Sequence, residues 1–189
     1  MNIISISGLD GSGKSTQIEL LKKHLESRGN KVFYFHAVQF SIANRKKSKS
    51  GKEAKSVTQA NWPQIQLRKI ALLVDLVRFR SLAKKLARQG YDYILSDRYF
   101  YDSIINIAYL SRSKRFIEFP VARPDHAFYL QVNPEIILQR ERIPDQGQTY
   151  LEQKKELLDA YAKKKKLTVV DGNRGQHSIA SEIRTLVGT

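Results

Sequence analysis

In 189 residues the chain carries 33 lysines and arginines against 18 aspartates and glutamates, a formal net charge of +15, and no cysteine. Disulfides, thiolate metal sites and cysteine nucleophiles are thereby excluded, and no apolar run reaches the ~18–20 residues of a membrane span. The length suits one domain over residues 1–189, the opening MNIISISGLDG lacks a secretory pattern, and the expectation is a cytoplasmic protein whose partners are anions.

Taken in order, the apolar run at Asn2–Ser7 predicts a first strand. Lys14–Arg28 follows as a helix with Ile18, Leu21 and Leu25 on one stripe, stopped by Gly29-Asn30. Val32–His36 is the second strand. A basic stretch from Asn44 to Ser56 is low in complexity, within an insertion expected to be mobile over about 41–57. Asn61 caps a long helix with Pro63 in its first turn. Its buried face is Ile65, Leu72, Leu73, Leu76, Leu82 and Leu86, and Gly90 ends it. Trp62 reads as packing at that helix start. Strands are expected at Tyr93–Asp97, His126–Val132 and Leu167–Val170. Between the last two, Asn133-Pro134 starts a helix running to about Arg142, and Lys163–Lys166 reads as a solvated helix end. Ser178 caps a final helix bearing Ile179, Ile183 and Leu186. Strands alternating with helices make this an α/β sandwich with a mostly parallel sheet.

The segment Gly8-Leu9-Asp10-Gly11-Ser12-Gly13-Lys14-Ser15 matches G-x-x-x-x-G-K-[ST] between a predicted strand and a predicted helix. Gly8, Gly11 and Gly13 let the backbone curl until successive N–H groups point at phosphate oxygens. The helix N-terminus adds positive potential, Lys14 is placed for the β- and γ-phosphates, and the Ser15 hydroxyl for Mg²⁺. The ligand expected is a nucleoside triphosphate.

Strand Tyr93–Asp97 ends in an acid suited to orient Mg²⁺, with Arg98 at the sheet edge where ligands bind in open α/β folds. The alternative for this pair is a surface salt bridge, between Asp97 and Arg98 or with another neighbour. Arg140 and Arg142 precede a helix-breaking Ile143-Pro144-Asp145-Gln146-Gly147 and suit a segment that closes over transferring phosphate. Two residues apart, they cannot share one face of a regular helix. His36, at a strand's carboxyl end, reads as structural or substrate-contacting, since phosphoryl transfer hardly needs a base. Tyr99-Phe100-Tyr101 reads as half core and half pocket wall. No His/Asp/Glu spacing typical of a protein-only metal site occurs, so Mg²⁺ would arrive with the nucleotide.

Read together, these motifs resemble the thymidylate kinase family of nucleoside monophosphate kinases. The matching features are the Gly8–Thr16 loop with Asp10 inside it, the Leu72–Arg78 helix with its arginine, Asp97-Arg98-Tyr99, and Pro124-Asp125 ahead of an apolar strand. Asn133-Pro134-Glu135 leading to Arg140, Tyr161 downstream of a closing segment, and Val169-Val170-Asp171 complete the series. The resemblance implies a three-layer sandwich, a five-stranded parallel sheet flanked by helices, of P-loop nucleoside monophosphate kinase type with a lid at about 140–150. It implies ATP and Mg²⁺, transfer of the γ-phosphoryl to a nucleoside 5′-monophosphate such as dTMP, and often a homodimer. On this resemblance ATP is held by Gly8, Asp10, Gly11, Ser12, Gly13, Lys14, Ser15 and Thr16, with Asn173 and Arg174 where the family holds adenine. Ser15 and Asp97 are the metal positions. Asp10 helps orient metal or the attacking phosphate, Arg98 holds the acceptor phosphate, and Arg78 faces the acceptor base unless it pairs with Asp75 one turn earlier. Asp97, Tyr99 and Ser103 also fall around the acceptor.

Two departures bear on the acceptor. Where the family carries an Arg-x-Pro type loop, this chain has His36-Ala37-Val38-Gln39-Phe40 followed by the basic stretch. Where the family has an aromatic to stack on thymine, it has Val74, with Phe40, Tyr99, Tyr101 and Tyr109 as the candidates to replace it. Two alternatives therefore stand beside a dTMP kinase. One is a same-fold kinase acting on a nucleic-acid 5′ end, a nucleoside or a sugar phosphate. The other is a non-enzymatic ATP-binding module holding nucleic acid through the basic segment 45–55.

Overall fold

The computed structural model describes residues 1–44, 60–140 and 147–189. Strands β1 (Asn2–Gly8), β2 (Val32–His36), β3 (Tyr93–Asp97), β4 (His126–Gln131) and β5 (Thr168–Asp171) form one sheet in the order β2-β3-β1-β4-β5. Each neighbouring pair is parallel, with Ile6 opposite Asp97, Gly8 opposite Leu130 and His36 opposite Asp97. Parallel neighbours need crossovers, which the described helices supply. These are α1 (Lys14–Ser27), α2 (Ala37–Phe40), α3 (Trp62–Arg88), α4 (Phe100–Leu110), α5 (Pro134–Leu138), α6 (Gly147–Lys165) and α7 (Gln176–Val187), with a 3-10 turn over Ile42–Asn44. The five-stranded sandwich expected for the family is the fold observed.

Strand order decides where a ligand can sit. The chain leaves β1 toward β2 on one side and returns to β4 on the other. The carboxyl edge of β1 is therefore a switch point, where open α/β sheets form their binding crevice. The core behind it is the continuous apolar middle of the sheet, Ile4, Ile6, Ile94, Leu95, Phe128 and Leu130, all essentially inaccessible. On one side Phe35, Phe79 and Phe100 interlock at ring-centroid distances of 4.8–6.2 Å.

Several expectations are corrected. Leu73 faces solvent at 45% exposure because Leu72 and Leu76, one turn apart, define the buried line and Leu73 lies about 100° round the helix from Leu72. Trp62 is 73% exposed rather than packed. Tyr99, Phe100 and Tyr101 are all core residues, the Tyr99 hydroxyl donating to the Ala122 carbonyl at 2.9 Å. The helix from Asn133 stops at Leu138, where Arg140 N–H closes a tight turn on the Ile137 carbonyl at 3.2 Å. The last helix is capped at Gly175, so Ser178 lies inside its first turn and Leu186 is outward. Helix α4, which carries site residues, had no counterpart in the sequence reading. Among the described residues no helix is long and apolar enough to cross a membrane.

Candidate active site

The loop between β1 and α1 is shaped by contacts that only glycine tolerates. A Cβ on Gly8 would lie 2.7 Å from the Leu130 carbonyl oxygen, and Gly13 adopts φ 95° at the start of α1. The loop thus folds tightly against β4 and presents the open helix N-terminus as an anion seat. Lys14 is buried, its ammonium donating to the Leu9 carbonyl at 2.5 Å and lying 3.4 Å from Ser12 Oγ. Burial, with the Arg98 guanidinium nearby, pushes its pKa down to about 8.

Ser15 and Asp97, 82 residues apart in sequence, meet here: the Ser15 hydroxyl donates to Asp97 Oδ2 at 2.5 Å. The Tyr34 hydroxyl reaches the same oxygen at 3.3 Å. A hydroxyl and a carboxylate oxygen side by side at the cradle's edge are hard donors of the kind Mg²⁺ prefers, so these residues fit that ion. The surface salt bridge expected as the alternative for this pair is not what forms: Asp97 is buried, and Arg98 pairs with Asp10 and Asp102.

Arg98 sits at φ 64°, in the left-handed region that a non-glycine residue rarely occupies. Its N–H bonds the Ile6 carbonyl at 3.1 Å and its carbonyl accepts from Ser96 Oγ at 2.5 Å, which hold that conformation. The guanidinium is thereby aimed between Asp10 Oδ1, which it binds, and Asp102 Oδ1 at 3.4 Å. Asp102 is itself fixed by Ser7 Oγ at 2.6 Å and by the Tyr99 N–H at 3.0 Å. Burial opposes the charge on Asp10, but Arg98 and Lys14 overcome it and hold its carboxyl below the usual range. Asp10 is thus bound by Arg98 and lies within the field of Lys14.

Arg140 reaches into this site, Nη1 donating to the Gly11 carbonyl at 2.6 Å and Nη2 to the Gly172 carbonyl at 3.4 Å. Arg142 lies outside the described residues, as does the basic run at 45–55. Asn173 accepts from the Asn133 N–H at 3.0 Å, and Arg174 pairs with Glu182 and Asp171; both are exposed. Gly172 ties their loop to Arg140. Ser12 is buried, Thr16 is exposed on the first turn of α1, and Ser103 is half-buried on the first turn of α4. Arg78 binds Asp75 at 2.6 Å and the Phe40 carbonyl at 3.0 Å, and its guanidinium lies 4.3 Å from the Phe40 ring centroid. Of the four aromatics considered in place of the missing stacking residue, Phe40 is the one against Arg78. His36 caps α2, its Nδ1 accepting from Gln39 N–H at 3.4 Å.

The family model for thymidylate kinase matches residues 6–183. The chain belongs to the thymidylate kinase family. It is a phosphotransferase of the nucleoside monophosphate kinase type. The chain is 27% identical to the thymidylate kinase of Thermosipho africanus, over 97% of this chain and 96% of that one. It is also 27% identical to a probable thymidylate kinase of Pyrobaculum aerophilum, over 99% and 96%. Among solved structures, thymidylate kinase from Candida albicans superposes with a TM-score of 0.66 at 18% identity, over 99% of this chain and 91% of that one.

Within this thymidylate kinase family member, two site residues escaped the sequence reading. Asp102, in the first turn of α4, is reached by Arg98 from outside the helix, so no helical spacing in the sequence announced the pair. Lys154 falls on the buried stripe of α6 beside Tyr150, Leu151, Leu158 and Tyr161. A lysine at a position where helical period demands an apolar residue was the available signal.

Proposed function

We propose that the protein transfers the γ-phosphoryl of ATP, with Mg²⁺, to the 5′-phosphate of dTMP. What carries this reading is the cluster at the carboxyl edge of β1: Lys14 is buried within the phosphate loop, and Arg98 binds the loop's own Asp10 while lining the adjacent pocket. Family membership supplies the acceptor. Lys14 and the loop amides hold the triphosphate, Arg140 brings a second positive charge to the cradle rim, and Arg98 positions the attacking phosphate. Ser15 and Asp97 would hold Mg²⁺, which when bound neutralises charge on the β- and γ-phosphates. Arg78 with Phe40 is our choice for the base wall, replacing the ring that Val74 lacks; of the lid expected at about 140–150, residues 141–146 lie outside the described residues. A coupled ADP-release assay across nucleoside monophosphates tests this. Turnover of dTMP should exceed that of AMP, dCMP and dGMP; no turnover with any of them ends the reading.

We also propose a homodimer. Leu67, Ile70, Val74 and Val77 repeat at three- and four-residue steps along the outer face of α3, each 41–64% exposed. That spacing is the seam one helix offers to another, and a second copy meeting it about a two-fold axis covers both. Light scattering should give twice the chain mass, falling to one chain in Leu67→Glu/Val77→Glu. A parent protein already at one chain mass would refute the pairing.

A further inference from the structure

We propose that Lys154 is a second cationic ligand for the acceptor's phosphate, acting with Arg98 from another wall of the same pocket, so that the site takes a phosphate monoester dianion rather than a neutral nucleoside. The inference rests on the kinase reading above.

Lys154 stands where α6 should be apolar and is only 8% exposed. A buried ammonium is costly unless an anion answers it. Among the described residues its hydrogen bond goes to a neutral amide, Asn106 Oδ1 at 3.0 Å, and its nearest rings are Tyr109 and Tyr150 at 5.1 and 5.8 Å. The pocket it lines also contains Asp10, Arg98, Asp102, Ile105 and Tyr150, in a narrow space of about 30 Å³.

The two carboxylates in that space are already committed. Asp10 and Asp102 both bind Arg98, and Asp102 further accepts from Ser7 and Tyr99. Lys154 therefore feels them at a distance while Arg98 repels it. Burial and that repulsion push its pKa down to about 8, against the weaker pull of Asp102 and Asp10. At neutral pH it is still a cation, and one with ammonium protons to spare, since an ammonium donates three hydrogen bonds. Arg98 already holds Asp10 and Asp102, so the ammonium of Lys154 is the charge that a dianion entering beside the two answers. An uncharged nucleoside leaves that ammonium without an anion in contact. A buried charge in a cleft with no anion in contact is the mark of a candidate functional position.

The test uses the full chain saturated with Mg²⁺ and a non-hydrolysable ATP analogue, so that the phosphate loop is filled. Inorganic phosphate, dTMP and thymidine are titrated by calorimetry into the parent, Lys154→Met and Lys154→Gln. Losing one charge-assisted contact should weaken dTMP and inorganic phosphate in parallel by about 10–100-fold, with thymidine changed less than about twofold. Melting temperature should hold or rise in Lys154→Met, because a buried charge gives way to an apolar chain of similar length. A lysine kept only for packing would instead lower the melting temperature and leave phosphate binding alone. Equal loss of thymidine and dTMP, or no loss of either anion, overturns the proposal. A parent that takes phosphate through Lys154 yet rejects dTMP supports the proposal and sinks the dTMP reading instead. A parent that binds dTMP and loses nothing in both variants does the reverse.

Discussion

Lys14→Ala should lower kcat/KM by about 10²–10³-fold while the protein stays folded, the usual consequence of removing one preorganised positive group from a charge-building transition state. The lysine holds its charge in reserve: its ammonium rests on the Leu9 carbonyl and Ser12 hydroxyl of its own loop rather than on a carboxylate. Transfer to incoming phosphate exchanges two neutral acceptors for anionic ones, so the interaction strengthens as charge spreads over the moving group. Alanine loses that gain. It also deletes a buried cation, which offsets the orphaned Leu9 carbonyl, so the melting temperature should move by no more than a few degrees. Steady-state kinetics with a parallel melting curve read both effects. Full activity in the variant would mean that the transferred phosphate is held elsewhere.

What the sequence made legible was whatever depends on neighbours along the chain. The phosphate loop needs three glycines, a lysine and a hydroxyl in a fixed run between a strand and a helix, and all of that is local. Strands β2 and β3 kept their expected limits, Val32–His36 and Tyr93–Asp97: Asn30-Lys31 and Gly90 to Asp92 precede them, and the apolar runs close on the polar His36 and Asp97. Helix α4 was missed for the converse reason. Phe100, Tyr101, Ile104, Ile105, Ile107, Ala108 and Leu110 are all buried, and the polar stripe that reveals the helix is only Asp102, Ser103 and Asn106 in a segment rich in aromatic and β-branched residues, which suit a strand equally well. With α4 unseen, Asp102 and Asn106 had no place in the site, and Lys154 had no partner to explain it.

Long-range pairings were the other gap. Asp10 and Arg98 are 88 residues apart and Arg140 and Gly11 are 129 apart, brought together by strand order and not by spacing. The resemblance supplied Arg98 its role, but only the fold shows it clasped by two acids. For Arg78 the two readings that competed in sequence coexist, since the same guanidinium binds Asp75 and lies over Phe40.

That clasp makes Arg98→Ala the other large effect. On the role proposed for Arg98, the acceptor's KM should rise by about 10²-fold while that of ATP changes little, because the cation lost would meet the acceptor's phosphate and not the donor's. Stability should fall as well, by about 2–3 kcal/mol. Removing one partner of a largely buried ionic cluster leaves the others uncompensated, here discounted because Asp10 is about one-third exposed. The left-handed backbone at residue 98 persists under alanine, so relief of strain does not mask the deficit. The sign of the pH response follows from the carboxylates. In the parent, Arg98 and Lys14 hold the pKa of Asp10 below 3.8, so its contribution is present near neutrality and is lost as pH falls through that depressed value. In the variant the part of that depression due to Arg98 is gone. The gap in melting temperature between parent and variant should therefore hold from pH 7 to pH 5 and narrow below about pH 4, where the parent's carboxylate takes up its proton. A gap that stays constant below that pH would assign the loss to packing, and a KM for ATP that rises as much as the acceptor's would remove Arg98 from the acceptor side of the pocket.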